Sequence, residues 1–118
     1  MTIAQLAART AKLATSPAHL TACGIATKAV ANIMSVTTLS EDQAESFRNS
    51  AWSIARGNGP VQCSGWTQAA FAADGLTTAP RKGDRNEYGT PRMTVAGKAL
   101  AARIVKWESA TKAAKLAA

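Results

Sequence analysis

FAADGLTTAPRKGDRNEYGTPRMTVAGKALAARI, residues 71–104, is the stretch whose reading decides how this chain is built. Its first part predicts the end of a helix over about residues 64–74. Gly75 takes the left-handed position after the helix, and Leu76 folds back onto the last turn. Ser64 is the candidate cap at the other end. Trp66, Ala70 and Ala73 share one face, with Phe71 beside them. Leu76-Thr77-Thr78-Ala79 then reads as a short strand, and Pro80-Arg81-Lys82-Gly83-Asp84 is turn chemistry. Asn86 to Met93 returns as a second strand, with Tyr88, Thr90 and Arg92 on one side. Pro91 restricts that strand to an edge or to a local irregularity. Thr94 caps a long final helix on which Leu100, Ile104, Trp107 and Thr111 repeat at three and four. Gly97 lets this helix approach the sheet closely. The tail, Lys112 to Ala118, is expected to fray.

Working back toward the N-terminus, Ser40-Glu41-Asp42-Gln43 has capping-box form, with Leu39 placed to staple onto Ala44. Ala44, Phe47, Ala51 and Ile54 make the apolar stripe of a helix over 41–56, and Gly57-Asn58-Gly59-Pro60 ends it. Ile25, Ala29, Ile33 and Val36 predict a helix over 25–36, although Val30, Met34 and Thr37-Thr38 would also suit a strand. Gly24 is expected to interrupt or end a short piece begun by Ser16-Pro17. Residues 2–14 read as a first helix with Ile3, Leu6 and Leu13 near one face. The length of 118 residues fits one domain, an N-terminal helical segment 1–38 followed by a module 39–118. Much of the apolar content is alanine. Large anchors are few (Trp52, Trp66, Trp107, Phe47, Phe71 and Tyr88), which predicts a thin core helped by self-association.

The order of helix, glycine stop, strand, basic turn, strand and capped helix over about residues 62–107 resembles the winged helix-turn-helix family of transcription regulators. The Thr94-Val95-Ala96-Gly97-Lys98-Ala99-Leu100 run matches the Thr-x-x-Gly-x-x-Leu opening of the helix that follows the wing in that family. The resemblance implies a mainly α fold with a small β-hairpin, about five helices in all, with a recognition helix at 64–74 and a basic wing at 80–92. It implies double-stranded DNA as partner and a homodimer that sets two recognition helices on successive major-groove turns. The chain departs from the family where two helices usually precede the wing: between Pro60 and Leu76 there is room for one. The helix at 41–56 would then have to be the scaffold packed against it, or the motif is truncated.

Charge supports a polyanionic partner. The net charge is +7, and residues 81–118 hold nine Lys/Arg against three Asp/Glu, six of the seven net positive charges. Such a surface binds nucleic acid by releasing counterions. Arg81, Lys82 and Arg85 at the hairpin tip and Arg92 at its base are the candidate phosphate contacts, with Tyr88 flanking them. Thr67 and Gln68 would face outward from the 64–74 helix, and Gln pairs bidentately with adenine. Lys98, Arg103, Lys106, Lys112 and Lys115 read chiefly as the solvated face of an amphipathic helix, and Trp66 and Trp107 as core.

Other chemistry finds little footing. Cys23 and Cys63 stand forty residues apart with no CxxC pair, and His19 is the one histidine, so no zinc site is expected. One histidine supports no Ser/His/Asp or Cys/His constellation. Glu41, Asp42 and Glu45 are explained by their place at a helix start. No enzyme, cofactor or metal is expected. No apolar stretch reaches the roughly 18 residues needed to span a bilayer, and a secretory leader is not recognised. The expectation is a cytoplasmic protein with reduced thiols and no membrane partner. The alternative function is that of a small viral or mobile-element protein that binds and inhibits a host protein.

Overall fold

A computed structural model describes residues 2–13, 22–57, 65–78 and 92–117. Five helices lie among them: α1 (Ile3–Ala11), α2 (Ala22–Val36), α3 (Glu41–Ala55), α4 (Gly65–Ala73) and α5 (Val95–Ala117). The fold is mainly helical, as expected. Of the two expected strands the described residues hold one antiparallel bridge, Thr77 to Met93, and no strand.

Local chemistry sets most helix ends. Thr2 accepts from the Gln5 amide at 3.1 Å while the Gln5 side chain accepts from the Thr2 amide at 2.8 Å, a reciprocal box that starts α1. Ser40 and Gln43 repeat the arrangement at α3, where Glu41 and Asp42 also meet the positive end of the helix dipole. Gly57 ends α3 at a φ of +90°. At the end of α2, the Thr37 hydroxyl and amide both donate to the Ile33 carbonyl.

The long helix α5 is the centre of the packing and touches α1, α2 and α3. Leu100, Ala101, Ile104, Trp107 and Thr111 are buried along it. These positions recur at spacings of three and four and make one broad inward face, as expected. Leu6 and Leu13 from α1 and its end, Ile25, Ala29, Ile33 and Val36 from α2, and Ala44, Phe47, Ala51 and Ile54 from α3 complete one hydrophobic cluster. Residues before 39 therefore cover the core. Phe47 and Phe71 meet edge to face, with ring centroids 5.7 Å apart, and this pair joins α3 to α4.

A buried polar pair locks α3 to α5. Glu108 is 2% exposed and accepts from Arg48 Nε at 2.8 Å and from Trp52 Nε1 at 3.2 Å. A carboxylate so deeply buried requires partners of this kind. Trp52 keeps its ring partly in solvent and anchors through its N–H.

Several sequence expectations are corrected. Gly24 lies inside α2, which begins at Ala22, so it breaks nothing. Ile25, Ala29 and Ile33 pin the helix to the core, and that burial outweighs the roughly 1 kcal/mol that an internal glycine costs. Residues 25–36 form no strand. Ile3 is half exposed; the inward face of α1 is Leu6 and Thr10, continued by Leu13. The tail stays helical to Ala117. On α4, Phe71 and Asp74 point inward, Ala70 is half-buried and Ala73 is exposed, so the buried face is turned from the one expected. Ser16-Pro17, His19, Cys63, Ser64 and the side chains of Cys23 and Trp66 lie outside the described residues.

Candidate nucleic-acid interface

The site grows from the end of α4. Gly75, at a φ of +79°, donates to the Ala72 carbonyl at 3.1 Å, and Leu76 donates back to the Phe71 carbonyl at 2.9 Å. These two bonds form the Schellman closure that the Gly-Leu step predicts. Asp74 is fully buried just before them. Its carboxylate accepts from the Thr38 amide at 2.7 Å and from the Thr38 hydroxyl, tying the end of α4 to the turn between α2 and α3. A Cβ on Gly75 would lie 3.1 Å from the Ile3 backbone nitrogen, so the start of α1 closes over the same point.

From Leu76 the chain runs directly into the junction with α5. The Thr94 amide donates to the Leu76 carbonyl at 3.1 Å, and the Thr78 amide donates to the Arg92 carbonyl at 2.8 Å. The Arg92 amide donates to the Thr78 hydroxyl at 3.1 Å. The Thr94 hydroxyl accepts from the Gly97 amide at 2.9 Å, as a helix cap should, and its proton points at the Gly75 carbonyl 2.6 Å away. Gly97 is demanded by this packing. A Cβ there would stand 2.1 Å from the Leu76 carbonyl oxygen and 2.8 Å from Met93 Cε.

The two ends of the basic segment, Thr78 and Arg92, are thus pinned together where α4 stops and α5 starts. The Arg92 backbone is held by these bonds while its side chain is exposed, and Lys98 is exposed nearby on the first turns of α5. Arg81, Lys82, Arg85 and Tyr88 lie outside the described residues. Thr67 and Gln68 are half-buried instead of facing fully outward; Thr67 stands one turn before Phe71 on the same side of α4. Among the described side chains of that helix the exposed positions are Ala69 and Ala73, which carry no donor for a base edge.

One cation of the expected α5 face has another task. Arg103 Nη2 donates to the Leu13 carbonyl at 2.6 Å and lies 3.4 Å from that of Ala11, so it closes the C-terminal end of α1. Lys98, Lys106 and Lys112 are exposed, and Lys115 lies outside the described side chains. Asp74, Glu108 and Arg103 were missed as structural residues because their partners stand 36, 60 and 90 residues away in sequence. Among the described residues no group of three His, Cys, Asp or Glu could hold a metal ion, and no helix is long and apolar enough to cross a membrane. Comparison with protein-family models, with curated proteins and with solved structures finds no match for this chain.

Proposed function

We propose that this chain is a DNA-binding protein of winged-helix-like build, acting as a small transcriptional regulator and not as an enzyme. The observation that carries the reading is the junction at Leu76 and Thr94. It fixes the end of α4, both ends of the basic segment and the capped start of α5 at one place. A short helix beside a cationic loop is suited to a duplex, the helix in the major groove and the loop on phosphates. In this reading Arg81, Lys82, Arg85 and Arg92 contact the backbone, and Tyr88 supports them. Gln68 reaches base edges past the flanking alanines, with Thr67 beside it. With Ala69 and Ala73 as the exposed positions among the described side chains of α4, phosphate contacts dominate affinity and sequence preference is modest. A homodimer would set two such helices on one face of the duplex.

The test is fluorescence anisotropy of labelled duplex DNA across a salt series. Binding should fall steeply with salt, with a slope of about −0.9 per phosphate neutralised. Arg81→Ala with Lys82→Ala should reduce that slope by about 2 without moving the melting temperature. Absence of binding at low salt refutes the reading, and an unchanged slope removes the basic segment from the interface.

A further inference from the structure

A second cationic feature lies away from this junction. A groove of about 330 Å³ separates α1 from α2 and is lined, among the described residues, by Arg9, Lys12, Leu13, Asn32, Ser35 and Val36. We infer that this groove is a phosphate-binding site that takes a backbone phosphate of the nucleic acid. The phosphate's source rests on the DNA-binding reading above; the anion chemistry does not.

Charge is the first ground. The first forty residues contain Arg9, Lys12 and Lys28 and no Asp or Glu. All three cations are exposed, and none has a carboxylate partner among the described residues. Arg9, in the last turn of α1, and Lys12, its C-cap, both line the groove; Lys28 stands one turn before the groove residue Asn32 on α2 and is not itself in the lining. The second ground is the treatment of α1's C-terminus. A helix end exposes carbonyl oxygens and repels anions. Here the Arg103 guanidinium covers the carbonyls of Ala11 and Leu13, and Leu13 itself lines the groove. That offsets the end of α1; at the other helix end beside the groove, the last turn of α2, the Asn32 and Ile33 carbonyls are taken by the Ser35 and Thr37 hydroxyls.

The donors also suit the ligand. The Ser35 hydroxyl proton is committed to the Asn32 carbonyl at 2.7 Å. The Arg9 guanidinium, the Lys12 ammonium and the Asn32 carboxamide remain to meet phosphate oxygens. Leu13 and Val36 are buried and offer an apolar floor on which a sugar can rest. The volume falls at the small end of ligand sites, about 300–1,000 Å³, which is room for one phosphate with its adjoining sugar.

The experiment uses the full chain and pyrophosphate as probe, followed by ¹H–¹⁵N NMR, with duplex anisotropy run in parallel. The amides of Lys12 and Leu13 and the side-chain amide of Asn32 should shift saturably. Arg9→Ala with Lys12→Ala should abolish those shifts, while Lys112→Ala, an exposed charge elsewhere, leaves them intact. On duplex DNA the double variant should lower the salt slope by about 2. If pyrophosphate moves no groove residue, the site is refuted even where the wild type binds DNA. If it binds the groove but the double variant's DNA slope is unchanged, nucleic acid is overturned as the source. If duplex is not bound at all while pyrophosphate still titrates the groove, the DNA-binding reading falls and the anion site stands as one for a free phosphate compound.

Discussion

Replacing Gly97 with alanine separates local propensity from tertiary packing, because the two predict opposite signs. Within a helix, Gly→Ala is normally stabilising by about 1 kcal/mol. At Gly97 the new methyl would stand 2.1 Å from the Leu76 carbonyl oxygen and 3.0 Å from its carbon, atoms of backbone that cannot rotate away. Relief requires the first turn of α5 to withdraw from Leu76. That withdrawal stretches the Thr94 amide bond to Leu76 and the Thr94 hydroxyl bond to Gly75. Each is worth about 1 kcal/mol net, and overpacking adds about 1–3 kcal/mol. Set against the propensity gain, the expected loss is about 2–4 kcal/mol. At about 2.1 cal/mol/K of unfolding entropy per residue, the melting temperature should drop by about 8–16 °C. The assay is thermal unfolding followed by circular dichroism, with the exposed Ala99→Gly as a reference for propensity in the same helix. An unchanged or raised melting temperature for Gly97→Ala would refute the close approach of α5 to Leu76.

Three further predictions concern the buried polar groups. Asp74→Asn turns one acceptor facing Thr38 into a donor and should cost about 2–3 kcal/mol in urea unfolding; wild-type stability would show that the Thr38 contact contributes nothing. Glu108→Ala strands the Arg48 and Trp52 donors and should cost about 2–4 kcal/mol, with Glu108→Gln losing less because one acceptor survives; equal losses would mean that packing, not hydrogen bonding, holds α3 to α5. Arg103→Lys should cost about 1 kcal/mol, because an ammonium lacks the planar fork. It should also speed amide exchange in the last turn of α1, and unchanged exchange there would dismiss the capping role.

What could be read from the sequence was governed by range. The Ser40 box, the Gly75 closure, the Thr94 cap and the close approach at Gly97 are written in runs of a few residues, and each is found where those runs place it. The turn of α4 was not legible. Ala69, Ala70, Ala72 and Ala73 give no contrast between faces, so the pattern could not reveal that Phe71 and Asp74 point inward. Gly24 was misread because local propensity favours a break, whereas the packing of Ile25, Ala29 and Ile33 decides. The tail was misjudged in the opposite sense: its alanines have the highest helix propensity of any residue, and they continue α5 to Ala117. Of the candidate site, the framing residues Thr77, Arg92, Met93 and Thr94 were legible as the two ends of one basic turn. Nothing local marked Arg9, Lys12 and Asn32 as neighbours, since the sequence separates them by a helix end and a connection.

The fold also changes what the net charge means. Counted along the chain, seven acids offset fourteen cations. Two of those acids, Asp74 and Glu108, are withdrawn to 0% and 2% exposure, and they serve Thr38, Arg48 and Trp52. Glu41 and Asp42 stand against the positive end of α3. Arg48 and Arg103 are half-buried, and their guanidinium groups are committed to Glu108 and to the carbonyls at the end of α1. Arg9, Lys12, Lys28, Arg56, Arg92, Lys98, Lys106 and Lys112 remain exposed. Two acids and two cations are thus withdrawn together, so the formal sum is unchanged, and what the fold decides is which cations a polyanion meets. Coulombic attraction acts through exposed charge, so the salt slope on duplex DNA should follow the exposed cations. Arg48→Ala, which removes the same formal charge as losing an exposed lysine, should lower stability and leave the slope nearly unchanged.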